Sequence, residues 1–216
     1  MNARADGWVI GVDFDNTIAN YDELMYTIAL QRGLIRADIA KNKKLIRDAI
    51  RALPDGETHW RSVQVMAYGP YMHEARLIEG VREFFTECRR RSIPVYIVSH
   101  KTEYANFGET SVNLRAAATA WLERHGFFAP GELGLTKTGV FFESTRAEKI
   151  DRIKALRATH FIDDLEETFR DSAFPRDVQK ILLQAHGQPS DIAGTVSFAT
   201  WGQIHEHLLG SAVTVR

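Results

Sequence analysis

Short apolar runs recur along the chain, each closing on polar residues and each separated from the next by a segment of helical period. A strand buried on both faces reads as a continuous apolar run and its crossover helix as a one-sided stripe, so the alternation predicts a parallel sheet with helices packed on it. The runs place strands at Trp8 to Val12, Ile93 to Val98, Gly139 to Phe142, Thr159 to Ile162 and Lys180 to Leu183, with Thr195 to Phe198 as a sixth. Between them, Val81, Phe84, Phe85 and Cys88 share one helical stripe, and Leu114, Ala118, Trp121 and Leu122 share another. Cys88 therefore reads as buried filler. Thr200 and Gln203 have the spacing of a capping box that opens a last helix.

One stretch interrupts the alternation. From about Ala19 to Ala75 the pattern is helical with no good strand: Ile46, Ala49, Ile50 and Leu53 form one stripe, Trp60, Val63 and Ala67 another, and Pro54-Asp55-Gly56 marks a turn between them. Three helices inserted after the first strand would pack as a small lid. They would leave the sheet at the carboxyl end of that strand, where open parallel sheets place their ligands.

Composition narrows the class without choosing a function. The 216 residues suffice for one core domain with a small insertion, and 44% hydrophobic with 25% charged residues is ordinary globular usage. With 27 basic against 28 acidic side chains, bulk charge points to neither a nucleic-acid nor a membrane partner. A lone cysteine forms no internal disulfide, the amino terminus shows no apolar targeting stretch, and no apolar run approaches the roughly 20 residues of a spanning helix. A cytoplasmic location is the expectation.

The chemistry gathers at strand ends. In VIGVDFDNTI an apolar strand stops at Asp13, Asp15 follows two residues on, and Thr17 two further. In extended geometry the two carboxylates share a face and reach one substrate or one cation; alone, the same pattern is also an Asp-rich turn. The second strand runs to Ser99, in IVSHK, and the fourth ends in the adjacent pair Asp163 and Asp164, in HFIDDLEE. Acidic groups that share a strand end raise each other's pKa unless a cation intervenes, and a hard divalent ion such as magnesium takes oxygen ligands. Thr145 and Glu148 have capping-box spacing, which sets Lys149 in the first turn of a helix beside the same strand ends.

In this order, DxDxT at Asp13, Asp15 and Thr17, then Ser99, Lys149 and the pair Asp163 and Asp164, the chain resembles the haloacid dehalogenase superfamily from about Val9 to Glu167. The resemblance implies an α/β fold: a Rossmann-like three-layer α/β/α parallel-sheet core over residues 1–18 and 76–216, with a small all-α cap over 19–75. It also implies a magnesium-dependent phosphatase acting on a small phosphorylated substrate. Asp13 would be the nucleophile and carry an aspartyl phosphate, and Asp15 would protonate the leaving oxygen and later deprotonate water. Dehalogenases of the superfamily lack a carboxylate at that second position and need no metal, so Asp15 favours phosphoryl transfer. Ser99 and Lys149 would contact the phosphate, with Phe14, Asn16, Thr17, His100 and Lys101 around it. Magnesium would be held by Asp13, the Asp15 carbonyl and the acidic pair, Asp164 directly and Asp163 one shell out. Glu167 would reach metal-bound water or stand as an exposed helix-start acid.

Other readings are weaker. GELGLTKTG, Gly131 to Gly139, lacks the glycine before Lys137 that a phosphate loop requires, no GxGxxG follows a strand, and the histidines lack metal spacing. In a receiver domain the acidic pair lies on the first strand and the phosphorylated aspartate on a later one, the reverse of the order here. A phosphotransferase or mutase with the same site, and a silent binding protein on the same fold, remain alternatives. For the substrate, Lys43, Arg47 and Arg51 read first as a solvated face and Trp60 first as packing. His100 and Lys101, ahead of the long TEYANFGET stretch, either touch a second group of the substrate or face solvent.

Overall fold

The computed structural model describes residues 7–105, 112–184 and 190–210. The chain forms two compact units, one of Met1–Ile18, Leu77–His100 and Gly126–Arg216, the other of Ala19–Arg76 and Lys101–His125.

The first unit holds a six-stranded parallel sheet of β1 (Ile10–Val12), β2 (Val95–His100), β3 (Val140–Glu143), β4 (His160–Asp163), β5 (Gln179–Leu183) and β6 (Thr195–Phe198), in the order β3-β2-β1-β4-β5-β6. The chain starts in the middle, steps outward to β3, then crosses β1 to build the other half, so the order reverses at β1. Val12 lies level with Ile97 of β2 and Ile162 of β4, and the residues just past β1 and β4 open together onto the crevice where such sheets bind ligands. Gly11 of β1 is required by this packing, because a Cβ there would lie 2.5 Å from the Phe161 ring.

Helices cover both faces, which makes the core a three-layer, Rossmann-like α/β fold. Val98, Phe161 and Leu182 pack one face against Ile150 and Ile153 of α6 (Arg146–Ala155) and Phe169 of α7 (Glu166–Arg170). Alternation turns Ile97, Ile162 and Ile181 to the other face, and all three are fully buried. Away from that first cluster, α4 (Val81–Arg90) packs on α8 (Trp201–Leu209) through Phe84 and Trp201, ring centroids 5.0 Å apart. Cys88 is buried on the α4 stripe. Several strand bounds lie one or two residues from the sequence reading. β1 begins at Ile10 rather than Trp8, and β2 continues to His100, because the ladder Ser99 to Phe142 and His100 to Glu143 holds it extended. Ser99 is thus a strand residue, one position before the strand's end.

In the second unit, α1 (Asp22–Gln31), α2 (Lys43–Arg51) and α3 (Gly56–Tyr68) pack on one another. Asn42 caps α2 by accepting from the Lys44 and Leu45 amides. Ile46, Ile50, Trp60, Val63 and Ala67 are buried as their stripes require, while Leu53 is partly exposed beyond the end of α2. Arg47 pairs with Asp48 and Arg51 with Glu57 at exposed positions, so these two members of the basic stripe are neutralised locally. This unit also takes in α5 (Leu114–Arg124), which the sequence reading left with the core. Trp121 Nε1 donates to the Ala75 carbonyl at 2.8 Å, tying α5 to the end of the inserted stretch, and Arg115 Nε donates to the Lys101 carbonyl at 2.9 Å within the 101–125 segment. Among the described residues, no helix is long and apolar enough to cross a membrane.

Candidate active site

Each charged group of the site is delivered by the end of a regular element of the first unit. Asp13 follows β1 directly, its amide donating to the Ile162 carbonyl at 2.8 Å, and is 4% exposed. Asp163 closes β4, fully buried, and its Oδ1 accepts the Leu165 amide at 3.0 Å, a local turn that holds the carboxylate in place. Lys149 comes from the first turn of α6. The predicted capping box is formed: Thr145 accepts the Glu148 amide, and the Glu148 carboxylate accepts from Ser144 and Thr145. This cap fixes where α6 starts, and with it the direction in which Lys149 projects.

The Lys149 ammonium, 2% exposed, lies 2.7 Å from Asp13 Oδ1 and 2.7 Å from Asp163 Oδ2. Burial alone would discharge the lysine, but the two carboxylates outweigh that and hold its pKa above the ordinary value. Asp13 shows the opposite balance. Burial, followed by the nearby charges of Asp163 and Asp15, pushes its carboxyl up to about 7 despite the attraction of Lys149. The pocket therefore carries more acid than its lysine neutralises.

Carboxylate oxygens of Asp13, Asp163 and Asp164 lie within 4.8 Å of one another. Such an oxygen set suits a hard divalent cation. The Asp163 oxygens are already engaged by Lys149 and the Leu165 amide, whereas Asp164 is half-buried and accepts from Thr17 Oγ1 at 3.4 Å.

The remaining sequence candidates fall at different distances from this cluster in role. Asp15 is half-buried two residues beyond Asp13, in a turn that Asn16 completes with φ at 60° and that the Ile18 amide closes onto the Phe14 carbonyl at 2.9 Å. The Phe14 ring is core, edge-on to Phe142 at 5.8 Å. Ser99 is 1% exposed near the end of β2. His100 is exposed, with Nε2 3.0 Å from the Ser144 carbonyl. Lys101 belongs to the second unit, where it is buried with its ammonium 4.9 Å from the centre of the Tyr68 ring. Glu167 is exposed in the first turn of α7. The part of the TEYANFGET stretch at 106–110 lies outside the described residues. One residue the motifs did not indicate is Trp201, whose Nε1 donates to the Thr17 carbonyl at 2.7 Å across 184 positions of sequence. A tryptophan opening a last helix gives no local sign of such a contact.

No protein-family model matches the chain, and no curated relative matches it. Solved structures do. The chain is similar to a haloacid dehalogenase-type hydrolase, family IA variant 3, from Entamoeba histolytica, with 12% identity, a TM-score of 0.59 and coverage of 94% of this chain and 97% of that one. It is similar to a hydrolase of the same family from Deinococcus radiodurans, solved with bound phosphate and sodium, with 13% identity, a TM-score of 0.55 and coverage of 93% and 94%. A dehalogenase also matches, with 8% identity, a TM-score of 0.55 and coverage of 95% and 98%. The fold is that of haloacid dehalogenase-like hydrolases. Fold alone does not choose between the chemistries these proteins carry, and the choice rests on the site.

Proposed function

We propose that the chain is a magnesium-dependent phosphoric monoester hydrolase that works through a phosphoryl group carried on Asp13, with a small phosphorylated molecule as substrate. The observation that carries this reading is the buried Lys149 ammonium held between Asp13 and Asp163, with the Asp164 carboxylate beside them and Asp15 two residues from the nucleophile. Asp15 is what favours phosphoryl transfer over carbon–halogen cleavage on this fold. A cytoplasmic location and a capping role for the 19–75 helices complete the proposal.

In the first step an Asp13 oxygen attacks phosphorus, the bond from phosphorus to the ester oxygen breaks, and Asp15 gives its proton to the departing alcohol. In the second, water attacks the same phosphorus, Asp15 takes the water's proton, and phosphate leaves as the Asp13 carboxylate is restored. Lys149 offsets charge on Asp13 and on the transferring group, and the Ser99 hydroxyl donates to a phosphate oxygen. Asp13, the Asp15 carbonyl and Asp164 would hold Mg2+, which supplies charge neutralisation at the phosphate, with Asp163 behind them orienting Lys149. A cation at that position also favours the ionised, nucleophilic form of Asp13.

The test is phosphate release from an aryl phosphate and a panel of metabolite phosphates, with and without Mg2+, in the native chain and in Asp13→Asn. Magnesium-dependent release that disappears in the variant is the expected result. Equal release by native and variant chains would reject Asp13 as nucleophile.

A further inference from the structure

The turn that carries Asp15 and Thr17 is closed by the Ile18 amide, which donates to the Phe14 carbonyl at 2.9 Å. Asn16 within it has φ at 60°, in the left-handed region that asparagine enters more readily than most other non-glycine residues. A further contact braces the far side of the turn. Trp201 is fully buried at the start of α8, and its indole N–H donates to the Thr17 carbonyl at 2.7 Å. The other end of Thr17, its hydroxyl, donates to Asp164 Oδ1. Thr17 thus links the indole on one side to the acidic pair on the other.

The indole is itself immobilised. Its ring lies 5.0 Å from Phe84 and 6.5 Å from Phe85 of α4. Gly80, at the start of α4 with φ at 88°, has no Cβ to meet the Trp201 Cβ, which would be 2.8 Å away. Thr200 caps α8 by accepting the Gln203 amide, while the Gln203 side chain accepts from Ala199. A donor held by packing, a helix cap and a glycine niche is aimed at one carbonyl without further ordering cost.

We propose that Trp201 is a positioning residue for the cation site, acting through Thr17 on Asp164 and on the Asp15 carbonyl. This inference rests on the metal-site reading given above and extends it to a residue outside the four motifs. Outer partners of metal ligands set ligand orientation, and their loss typically costs about 10- to 100-fold in metal affinity.

The experiment compares the native chain with Trp201→Phe, which keeps an aromatic ring but has no donor, and with Phe84→Leu, which loosens the same cluster and leaves the hydrogen bond intact. Mg2+ binding is measured by calorimetry, Tm by thermal melting, and phosphate release as a function of Mg2+ concentration. The expected result is Mg2+ binding about tenfold weaker in Trp201→Phe, with phosphate release recovering as Mg2+ is raised. Phe84→Leu should lower Tm and keep native Mg2+ affinity. Native Mg2+ affinity in Trp201→Phe, or an equal loss in both variants, would overturn the positioning role while leaving the metal site standing. Absence of Mg2+ binding by the native chain would overturn the metal-site reading and this inference with it.

Discussion

Replacing Lys149 by Met removes the ammonium and keeps much of the side chain's bulk. Lys149 is 2% exposed at its side chain, and the partners it leaves behind, Asp13 and Asp163, are 5% and 0% exposed. Water therefore cannot replace the lost charge, and breaking a buried pair from one side costs about 3 to 5 kcal/mol. With a urea dependence of about 2 kcal/mol per molar, the unfolding midpoint should fall by roughly 1.5 to 2.5 M. The loss should be smaller at pH 5 than at pH 8. The Asp13 carboxyl already sits at about 7 with Lys149 present, and without it the folded chain binds a proton there more tightly still. A carboxyl raised above its unfolded value of 3.8 favours the folded state below that value, and the benefit is lost as pH rises through the folded value. Urea titrations of native and variant chains at both pH values, in metal-free buffer, test the reasoning. A midpoint within 0.3 M or so of native at pH 8, or a deficit that grows toward pH 5, would refute it.

Three further outcomes are expected. Asp164→Asn should weaken Mg2+ binding at least about tenfold with little change in Tm, whereas Asp163→Asn, which removes a charge from Lys149, should lower Tm more and Mg2+ affinity less; the reverse ranking by calorimetry and melting would contradict the division of labour. Cys88 is fully buried, and burial pushes its thiol up to about 12, so a thiol reagent should label the folded chain only through opening; labelling as fast in buffer as in urea would show otherwise. The His160 ring lies 4.4 Å from the Trp8 ring at a tilt of 49°, and its pKa is lowered from 6.5 by burial and by His207. Stability from the neutral ring is complete above 6.5 and is lost as pH falls through the lower folded value. The stability of the native chain relative to His160→Phe should thus fall between pH 7.5 and pH 5.5, and a difference that does not change with pH would exclude His160 as a titrating group of the folded chain.

The sheet was legible because a strand buried on both faces leaves an unbroken apolar run, and Phe161-Ile162 and Ile97-Val98 each face opposite helix layers. The position of Lys149 was legible for a different reason: Thr145 and Glu148 report a local hydrogen-bond exchange that fixes where α6 begins. What escaped were contacts made across sequence. The junction of α5 with the inserted helices depends on Trp121 meeting the Ala75 carbonyl, and the hold on Thr17 depends on Trp201. Neither leaves a periodic or capping signal. Ser99 was read as the end of its strand because a polar residue after Val98 reads as an ending, and pairing with β3 carries the ladder one residue further, to His100. The pairing of Arg47 and Arg51 with their neighbours agrees with the solvated reading of that face.

The claim that the phosphoryl group is carried on Asp13 is tested most directly in Asp15→Asn. An aryl phosphate has a leaving group good enough to depart without an acid, but the water of the second step still needs Asp15 as base, so the intermediate should accumulate. The variant is mixed with the aryl phosphate and Mg2+, quenched in acid, and digested for mass spectrometry. The account predicts one phosphoryl group on the peptide containing Asp13, absent in Asp13→Asn. Release of the aryl alcohol in a burst with no phosphoryl group on that peptide, or with the group on another residue, would contradict it.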